Sequence, residues 1–452
     1  MSRQQRLALV IAILASIVAF LDGSVVNVAL PAIARELGGG LSVQQWVVDA
    51  YLITLGALIL VAGSLSDLFG RVRILAVGLT AFAVTSVLCA VAPGSAFLVI
   101  SRGLQGIAGA LLVPSSLALI ISMFSGKAQG RAIGSWTAWT GISFIIGPLL
   151  GGFLVDVWSW RLIFLINVVP IAITLWLLKR LDKSEKRKER TKIDTLGAIL
   201  CAAGLGGPVF ALVEQPHYGW GDPRIWLPLA GGVAALAAFI AYEARSARPM
   251  LPLGLFKVRN FSAGNLATAA IYGGLSIATF LVAIFVQQVG GYSALRAGLA
   301  LLPVTVVMFL LSPRFGALAG KFGPRVFMTA GPLIAAAGFL LMLRVGAPVH
   351  YFSRLFPGVL LFALGLATTV SPLTSAVLGD VDTAHAGMAS AVNNAVARIA
   401  GLITTALIGI VIGEHLDVAG FHRALILTAV LMAAGGVISA AGIRNSSSGR
   451  ND

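Results

Sequence analysis

Asp22 is the first residue whose type and position suit chemistry. It stands 15 residues after Leu7, where a long apolar run begins, about 22 Å along a helix and thus near mid-membrane if that run is a span. A charged side chain there costs about 2.5–3.5 kcal/mol on insertion scales, so it should face a cavity and have a function. A low dielectric favours the neutral carboxyl form, which suits reversible protonation. The alternative is a structural carboxyl bound to neighbouring Ser or Asn groups.

Other polar residues also lie inside apolar runs. Asp49 is near the start of the second run, and the sequence leaves open an outer-cavity acid or a solvated interfacial residue. Asn393, Asn394 and the mid-run Arg398 form a polar stripe suited to lining a cavity. Further candidates for lining a substrate cavity are Asn27, Trp139, Tyr272, Phe280 and Gln287. For the aromatic members, lipid-facing or packing roles remain the alternative.

The elements that must position these residues are membrane helices. Of 452 residues, 58% are hydrophobic and 11% are charged, and the mean hydropathy is +0.95, which indicates an integral membrane protein. A helix needs about 20 apolar residues to cross a bilayer. On that template we predict fourteen spans, near residues 7–33, 44–66, 73–92, 97–121, 132–155, 161–180, 194–214, 225–243, 262–286, 297–319, 327–345, 353–378, 387–411 and 421–442.

The distribution of positive charge predicts the orientation of the chain. A net charge of +15 is compatible with nucleic-acid binding, yet the basic residues lie in short loops between apolar runs. With the N-terminus inside, 23 Lys and Arg fall in inner segments and 8 in outer ones, which follows the positive-inside rule. We therefore expect both termini in the cytoplasm, no nucleic-acid partner, and a cytoplasmic connector in the charged run 179–192.

A charged turn between the second and third runs has the sequence GSLSDLFGRVR, residues 63–73. Gly63 allows close helix packing, and Gly70 permits a tight backbone turn. Asp67 is placed to cap the next helix, with Arg71 in reach. Part of this turn recurs as GALAGKFG at 316–323, with four of eight positions identical. Such weak repeats accompany transporters whose two halves rock about a midplane site.

These residues carry a family resemblance. The turn is similar to the signature loop between the second and third helices of the major facilitator superfamily, although Val72 stands where a basic residue is usual. Further segments that resemble family patterns are LDGSVVNVALP (21–31), QWVVDAY (45–51), SRGLQGIAGA (101–110), WRLIFLINVVP (160–170) and VQQVGGYSALRAGLALLP (286–303). GPLLGG (147–152) matches the core of the fifth-helix antiporter motif, with Ser143 in place of its first Gly.

The resemblance implies an all-α integral membrane protein with the major-facilitator fold. Two six-helix bundles, residues 1–180 and 261–452, would flank a linker and two extra central helices at 181–260, as in the fourteen-helix drug:proton antiporters. It also implies proton coupling at Asp22 and assigns Arg102 to modulation of a nearby acid. The alternative for Arg102 is a cation that reaches the membrane interface.

The antiporter motif of the fifth helix acts through the backbone. Pro148 removes a helix hydrogen bond and bends the span, while Gly147, Gly151 and Gly152 let a partner helix approach closely. Membrane helices are generally rich in Gly and Pro, which is the alternative explanation.

These patterns predict a proton-coupled exporter of small lipophilic compounds in the cell membrane, a monomer without cofactor or metal. There is no G-x-x-x-x-G-K-[ST] or G-x-S-x-G motif, and the five His residues lack metal-ligand spacing, so we do not expect an enzyme. One rival is a proton-coupled importer of a polar metabolite, which should carry more fixed charges in its central helices. An intramembrane enzyme would need polar residues converging from several spans, and a sensor would need a soluble domain.

Overall fold

The chain folds into helices, as the apolar runs predict. The computed structural model describes residues 1–124, 126–181, 194–246, 249, 251–379, 386–413 and 416–445, and within these residues no strand occurs. The α-helices are α1 Arg3–Leu37, α2 Gly40–Phe69, α3 Arg71–Ala90, α4 Ser95–Met123, α5 Gly126–Val157, α6 Leu162–Leu165, α7 Val168–Leu178, α8 Thr195–Tyr218, α9 Pro223–Arg245, α10 Arg259–Gln288, α11 Ala294–Phe322, α12 Pro324–Leu341, α13 Phe356–Gly379, α14 Ala386–Ile412 and α15 Val418–Gly442.

The protein is a multi-pass membrane protein. Within the described residues, twelve helical segments are long and apolar enough to cross a membrane, and two shorter apolar stretches occur at Ile146–Val157 and Leu162–Leu178. Helices satisfy their own backbone hydrogen bonds, which lipid cannot do for them, so apolar runs of this length fold as helices. By length and composition the described residues give twelve candidate spans, so they do not establish the predicted number of fourteen.

The chain divides into two compact units. The first comprises Met1–Pro208, Ala230–Tyr242 and Ser293–Leu295. The second comprises Val209–Leu229, Glu243–Tyr292 and Arg296–Asp452. Helices α8 and α9, the predicted central insertion, are thus shared out between the two units.

Each unit shows the same pattern of helix packing. In the first, α1 packs on α4, α5 and α7, and α3 packs on α4 and α7. In the second, α10 packs on α13, α14 and α15, and α12 packs on α13 and α15. The two sets of contacts match when the helices are paired in chain order, α1, α3, α4, α5 and α7 with α10, α12, α13, α14 and α15. This match supports the internal repeat seen in the sequence.

The repeated turn has the same backbone conformation in both units. Gly70 has φ 93° and ψ 135°, and Gly323 has φ 84° and ψ 153°. A side chain strongly disfavours such angles, so glycine is the residue that fits both places. Because α2 continues to Phe69 and α3 begins at Arg71, the turn predicted for residues 63–73 is much shorter than expected. Asp67 belongs to the last turn of α2, and its side chain lies outside the described residues.

Candidate proton-coupling site

Asp22 and Arg102 form a buried ion pair in the first unit. Helices α1 and α4 pack together and bring Nη1 of Arg102 to 2.6 Å from Oδ2 of Asp22. The two residues are 0% and 1% exposed. A buried charge is stable only when it is paired and hydrogen-bonded. Arg102 is thus enclosed by protein, and its guanidinium does not extend into the surroundings of the protein.

Gln105 joins the two charges. It follows Arg102 by three residues on α4, so both side chains lie on one helix face. Its Nε2 donates to Oδ1 of Asp22 at 3.1 Å and to Oγ of Ser86 at 2.9 Å. Its Oε1 accepts from Nη1 of Arg102 at 2.6 Å and lies 3.5 Å from Sγ of Cys89. Every polar atom of this carboxamide is therefore used within the cluster.

Asn167 supplies the third donor to Asp22. Its Nδ2 donates to Oδ1 of Asp22 at 3.0 Å, and the residue is completely buried. Asp22 thus accepts hydrogen bonds from three side chains on two other elements of the fold. The sequence leaves a choice between a coupling acid and a structural carboxyl held by polar neighbours, and these contacts fit both.

The guanidinium of Arg102 is held independently of Asp22. Its Nε donates to the backbone oxygen of Val47 at 2.9 Å. Its Cζ lies 4.4 Å from the ring centre of Tyr51 and 5.7 Å from that of Phe164, within the range of cation–π attraction. The guanidinium of Arg102 therefore has contacts in addition to its bond to the carboxylate.

Asp49 is a second buried acid on α2, separate from this network. It is 0% exposed, so it is not the solvated interfacial residue that the sequence allowed. Neither of its carboxyl oxygens accepts a hydrogen bond from any residue that the structure describes. An ionised carboxylate in such surroundings would be very costly.

The glycines of the fifth-helix motif mark close helix contacts. A Cβ on Gly147 would lie 2.0 Å from Oγ of Ser24, and one on Gly151 would lie 2.3 Å from Cγ2 of Val25. Ser24 also donates to the backbone oxygen of Ser143 at 3.1 Å, a contact between α1 and α5 that a glycine at position 143 would equally provide. Helix α5 continues through Pro148 without interruption.

The same motif contacts the start of α11, which belongs to the first unit. A Cβ on Gly152 would lie 2.5 Å from Cα of Leu295. One turn later, the carboxylate of Asp156 accepts from the backbone N–H of Ala294 and of Leu295, each at 2.9 Å. A negative charge stabilises a helix N-terminus. Asp156 therefore caps α11 from another helix.

The polar stripe of α14 is partly engaged within the second unit. Nδ2 of Asn393 donates to Oδ1 of Asn265 at 3.1 Å and to Oγ1 of Thr268 at 2.8 Å, both on α10. Asn394 is exposed and donates to a backbone oxygen of its own helix, while Arg398 is half-buried. Asn394 and Arg398 therefore have solvent-accessible surface that a ligand could contact.

The remaining cargo-contact candidates differ in exposure. Trp139 is 52% exposed, whereas Asn27 and Tyr272 are half-buried. Phe280 is 2% exposed and packs in the core of the second unit. Gln287 is half-buried and donates to the backbone oxygen of Ala283 on its own helix.

The sequence analysis missed Asn167, Ser86 and Tyr51 as members of the Asp22 network. Asn167 was noted only as part of a family pattern, yet it is a carboxamide inside an apolar run, and that alone marks it as a candidate for a buried polar contact. Tyr51 also lies in a quoted family pattern, QWVVDAY (45–51). Nothing in the residue type of Ser86 or Tyr51 indicates a buried polar contact, because hydroxyl side chains are common in membrane helices.

Comparison with known proteins extends the resemblance to most of the chain. The family model described as Major Facilitator Superfamily matches residues 12–405. The chain is 34% identical over 419 residues to the multidrug resistance protein Stp of Mycobacterium tuberculosis (strain CDC 1551 / Oshkosh), covering 92% of this chain and 78% of the relative. It is 32% identical over 403 residues to the tetracenomycin C resistance and export protein of Streptomyces glaucescens, covering 87% of this chain and 73% of the relative.

A solved structure shows the same fold. The crystal structure of a bacterial homolog to the human lysosomal transporter Spinster, in an inward-facing and unoccupied conformation, superposes with a TM-score of 0.71 at 15% identity and covers 97% of each chain. Family match, relatives and fold agree, and the family consists of transporters rather than enzymes. This chain belongs to the Major Facilitator Superfamily.

Proposed function

We propose that this protein is a proton-coupled antiporter that exports small lipophilic compounds from the cytoplasm by alternating access. The buried pair of Asp22 and Arg102 is the observation that carries the proposal. A carboxylate and a guanidinium inside membrane helices are costly to keep, so they indicate a function. Relatives named for multidrug resistance and for resistance and export support the direction of transport.

In this scheme Asp22 alternates between two forms. The ionised form pairs with Arg102, and protonation removes the charge that holds the pair together. Arginine keeps its charge at physiological pH, so it modulates the acid and does not carry the proton. Val47 and Tyr51 hold the guanidinium in place after the pair separates. Proton binding thereby becomes a change in the contact between α1 and α4.

Asp49 has a supporting role in the same proposal. Because its buried carboxyl has no hydrogen-bond donor among the described residues, we expect it to be neutral in this conformation. Asp22 would then be the ionised acid and Asp49 the protonated one. Movement of α2 that brings a donor to Asp49 would allow it to release a second proton.

The proposed architecture keeps fourteen membrane helices. Helix α5 has 32 residues, and α6 and α7 together cover Leu162–Leu178, so each can serve as a span in addition to the twelve segments described above. Two six-helix bundles at 1–180 and 261–452 then flank the inserted pair within 181–260. Both termini lie in the cytoplasm, and the protein works as a monomer.

Conformational change in this proposal uses the two family motifs. Gly63, Asp67, Gly70 and Arg71 form the gate at the cytoplasmic edge, where matched charges favour closure. The glycines and the proline of 147–152 provide the close helix contacts of α5. The cargo, a small lipophilic molecule, is expected to contact exposed or half-buried side chains of each unit: Asn27 and Trp139 in the first, and Tyr272, Asn394 and Arg398 in the second.

Transport in inverted membrane vesicles tests the proposal. Vesicles with an acidic lumen are given ethidium as a cationic probe and N-phenylnaphthylamine as a neutral probe. We expect uptake of at least one probe, and its loss when nigericin collapses the pH gradient. Asp22→Asn should lose this uptake, whereas Asp222→Asn, which alters an aspartate between α8 and α9, should retain it.

The contrary result is equally clear. Gradient-driven uptake that persists in Asp22→Asn would place coupling elsewhere. Inward transport of a polar metabolite with protons would favour the importer of the same fold.

A further inference from the structure

We propose that Asn167 is the positioning residue that serves Asp22 in both of its protonation states. Its amide N–H donates to the ionised carboxylate, and after the amide turns over, its oxygen accepts from the protonated carboxyl. This inference rests on the proposed function of Asp22 as the coupling acid.

The position of Asn167 follows from a break in the sixth apolar run. Pro170 has no N–H to bond the backbone oxygen of Ile166, and its ring crowds that oxygen. Helix α6 accordingly ends at Leu165 and α7 begins at Val168. Asn167 lies in this break. Its backbone N–H donates to the backbone oxygen of Phe164 at 3.2 Å, whereas a regular α-helix would use the oxygen of Ile163. The tighter turn places its carboxamide against Asp22.

The hydrogen-bond inventory shows what Asp22 needs when it is protonated. An ionised carboxylate only accepts, but a carboxylic acid also carries an O–H donor that must find an acceptor. Arg102 has no acceptor atom. Oε1 of Gln105 already accepts from Arg102 at 2.6 Å, and Oγ of Ser86 already accepts from Gln105 at 2.9 Å.

Asn167, which already contacts Asp22, holds an acceptor that is still unused among the described residues. Its Oδ1 is buried and accepts no hydrogen bond from the residues that the structure describes, while its Nδ2 is bound to Asp22. Rotation of the amide by half a turn exchanges these two atoms in the same space. A hydronium ion from the acidic side then gives its proton to Oδ1 of Asp22 and becomes water, and the new O–H donates to Oδ1 of Asn167.

The charged and titratable neighbours of Asp22 are few. Arg102 of α4 contacts it directly, Cys89 of α3 reaches it through Gln105, and Tyr51 of α2 lies against the guanidinium. Asp49 of α2 shares no hydrogen bond with it among the described residues. Helices α6 and α7 have no titratable side chain, and those of α5 lie near its two ends.

Infrared difference spectroscopy of the full protein in lipid tests this inference. Spectra in acidic and alkaline buffer isolate the carboxyl C=O band of protonated Asp22, which Asp22→Asn identifies by removing it. In Asn167→Leu we expect the band at higher wavenumber, because the carboxyl has lost a hydrogen bond. Asn167→Gln keeps an amide and should return the band toward its normal position. Asn265→Leu, which removes a buried asparagine of α10, should leave it unchanged.

The pH dependence of the band separates the two-state role from simpler ones. If Asn167 serves both forms, Asn167→Leu destabilises both, and the midpoint of the titration moves by less than about one pH unit. A donor that serves the carboxylate alone would, on removal, move the midpoint by roughly one to two units toward alkaline pH. Proton-driven ethidium uptake should fall roughly tenfold or more with Asn167→Leu.

The contrary outcomes distinguish failure of the two-state role of Asn167 from failure of the proposed function of Asp22. An unmoved band in Asn167→Leu, or an alkaline shift of the midpoint by one to two units, rejects the two-state role while leaving Asp22 as the coupling acid. A spectrum in which Asp22→Asn removes no carboxyl band rejects the proposed function itself. If Asn167→Leu does not accumulate in the membrane, Asn167→Ala removes the same amide and gives the same comparison.

Discussion

The contact of Gly147 with Ser24 gives a prediction whose size follows from the structure. In Gly147→Ala, the new Cβ would lie 2.0 Å from Oγ of Ser24, 3.0 Å from its Cβ and 3.4 Å from the backbone nitrogen of Val25. Overpacking of this kind costs about 1–3 kcal/mol. The hydroxyl cannot turn away freely, because its single O–H is shared between the backbone oxygens of Leu21 at 2.9 Å and Ser143 at 3.1 Å. We expect weaker packing of α1 on α5 and slower transport, and complete loss of transport in Gly147→Leu.

A double-mutant cycle tests the physical cause. Ser24→Ala alone loses this shared hydrogen bond, worth about 0.5–1.5 kcal/mol. In the double variant the nearest atom is gone and the remaining contacts need a shift of only a few tenths of an ångström, so its cost should fall below the sum of the single costs by about 1 kcal/mol or more.

The assay is the free energy of unfolding in mixed micelles, measured beside ethidium uptake in proteoliposomes. Gly134→Ala is the matched control on α5. Apart from its chain neighbours and the backbone of its own helix, no atom of the described residues lies within 4 Å of the new Cβ. If Gly147→Ala behaves like Gly134→Ala, or if the two costs simply add, the close contact is not what the motif provides.

Three further predictions concern other parts of the chain. Asp156→Asn removes the charge that caps α11, and transport should slow roughly tenfold with normal insertion; an unchanged rate would make the cap incidental. Asn445→Ala removes the acceptor for the backbone N–H of Arg325 at the start of α12, which should lower the melting temperature by about 2–4 °C; an unchanged temperature contradicts a capping role. In intact cells, an impermeant thiol reagent should label a cysteine at Gly221 and not one at Ser184; the opposite pattern reverses the orientation.

Apolar patterning predicted the helical elements well because lipid leaves the backbone few other choices. The apolar runs correspond to helices, and the glycine of the first signature turn has the positive φ that its place required. The length of that turn was predicted wrongly. Charged residues were treated as the end of a span, whereas α2 continues through Asp67 to Phe69, since a helix can extend past the hydrocarbon.

The candidate site was predictable in its charged members and not in its neutral ones. Asp22 and Arg102 stand out because charge within an apolar run is rare, and the structure brings the two together. Asn167 lies 145 residues from Asp22 along the chain, and its reach depends on a helix break that only packing reveals. That no described residue donates a hydrogen bond to the carboxyl of Asp49 is likewise a property of its three-dimensional surroundings.

The most direct measurement of the central claim is proton release by the purified protein on binding cargo. Ethidium, or whichever vesicle probe is transported, is added to weakly buffered protein while a pH-sensitive dye reports released protons. The wild type should release protons, and Asp22→Asn should release clearly fewer while still binding the probe. Equal release by the wild type and Asp22→Asn, at equal probe binding, would contradict coupling through Asp22 and Arg102.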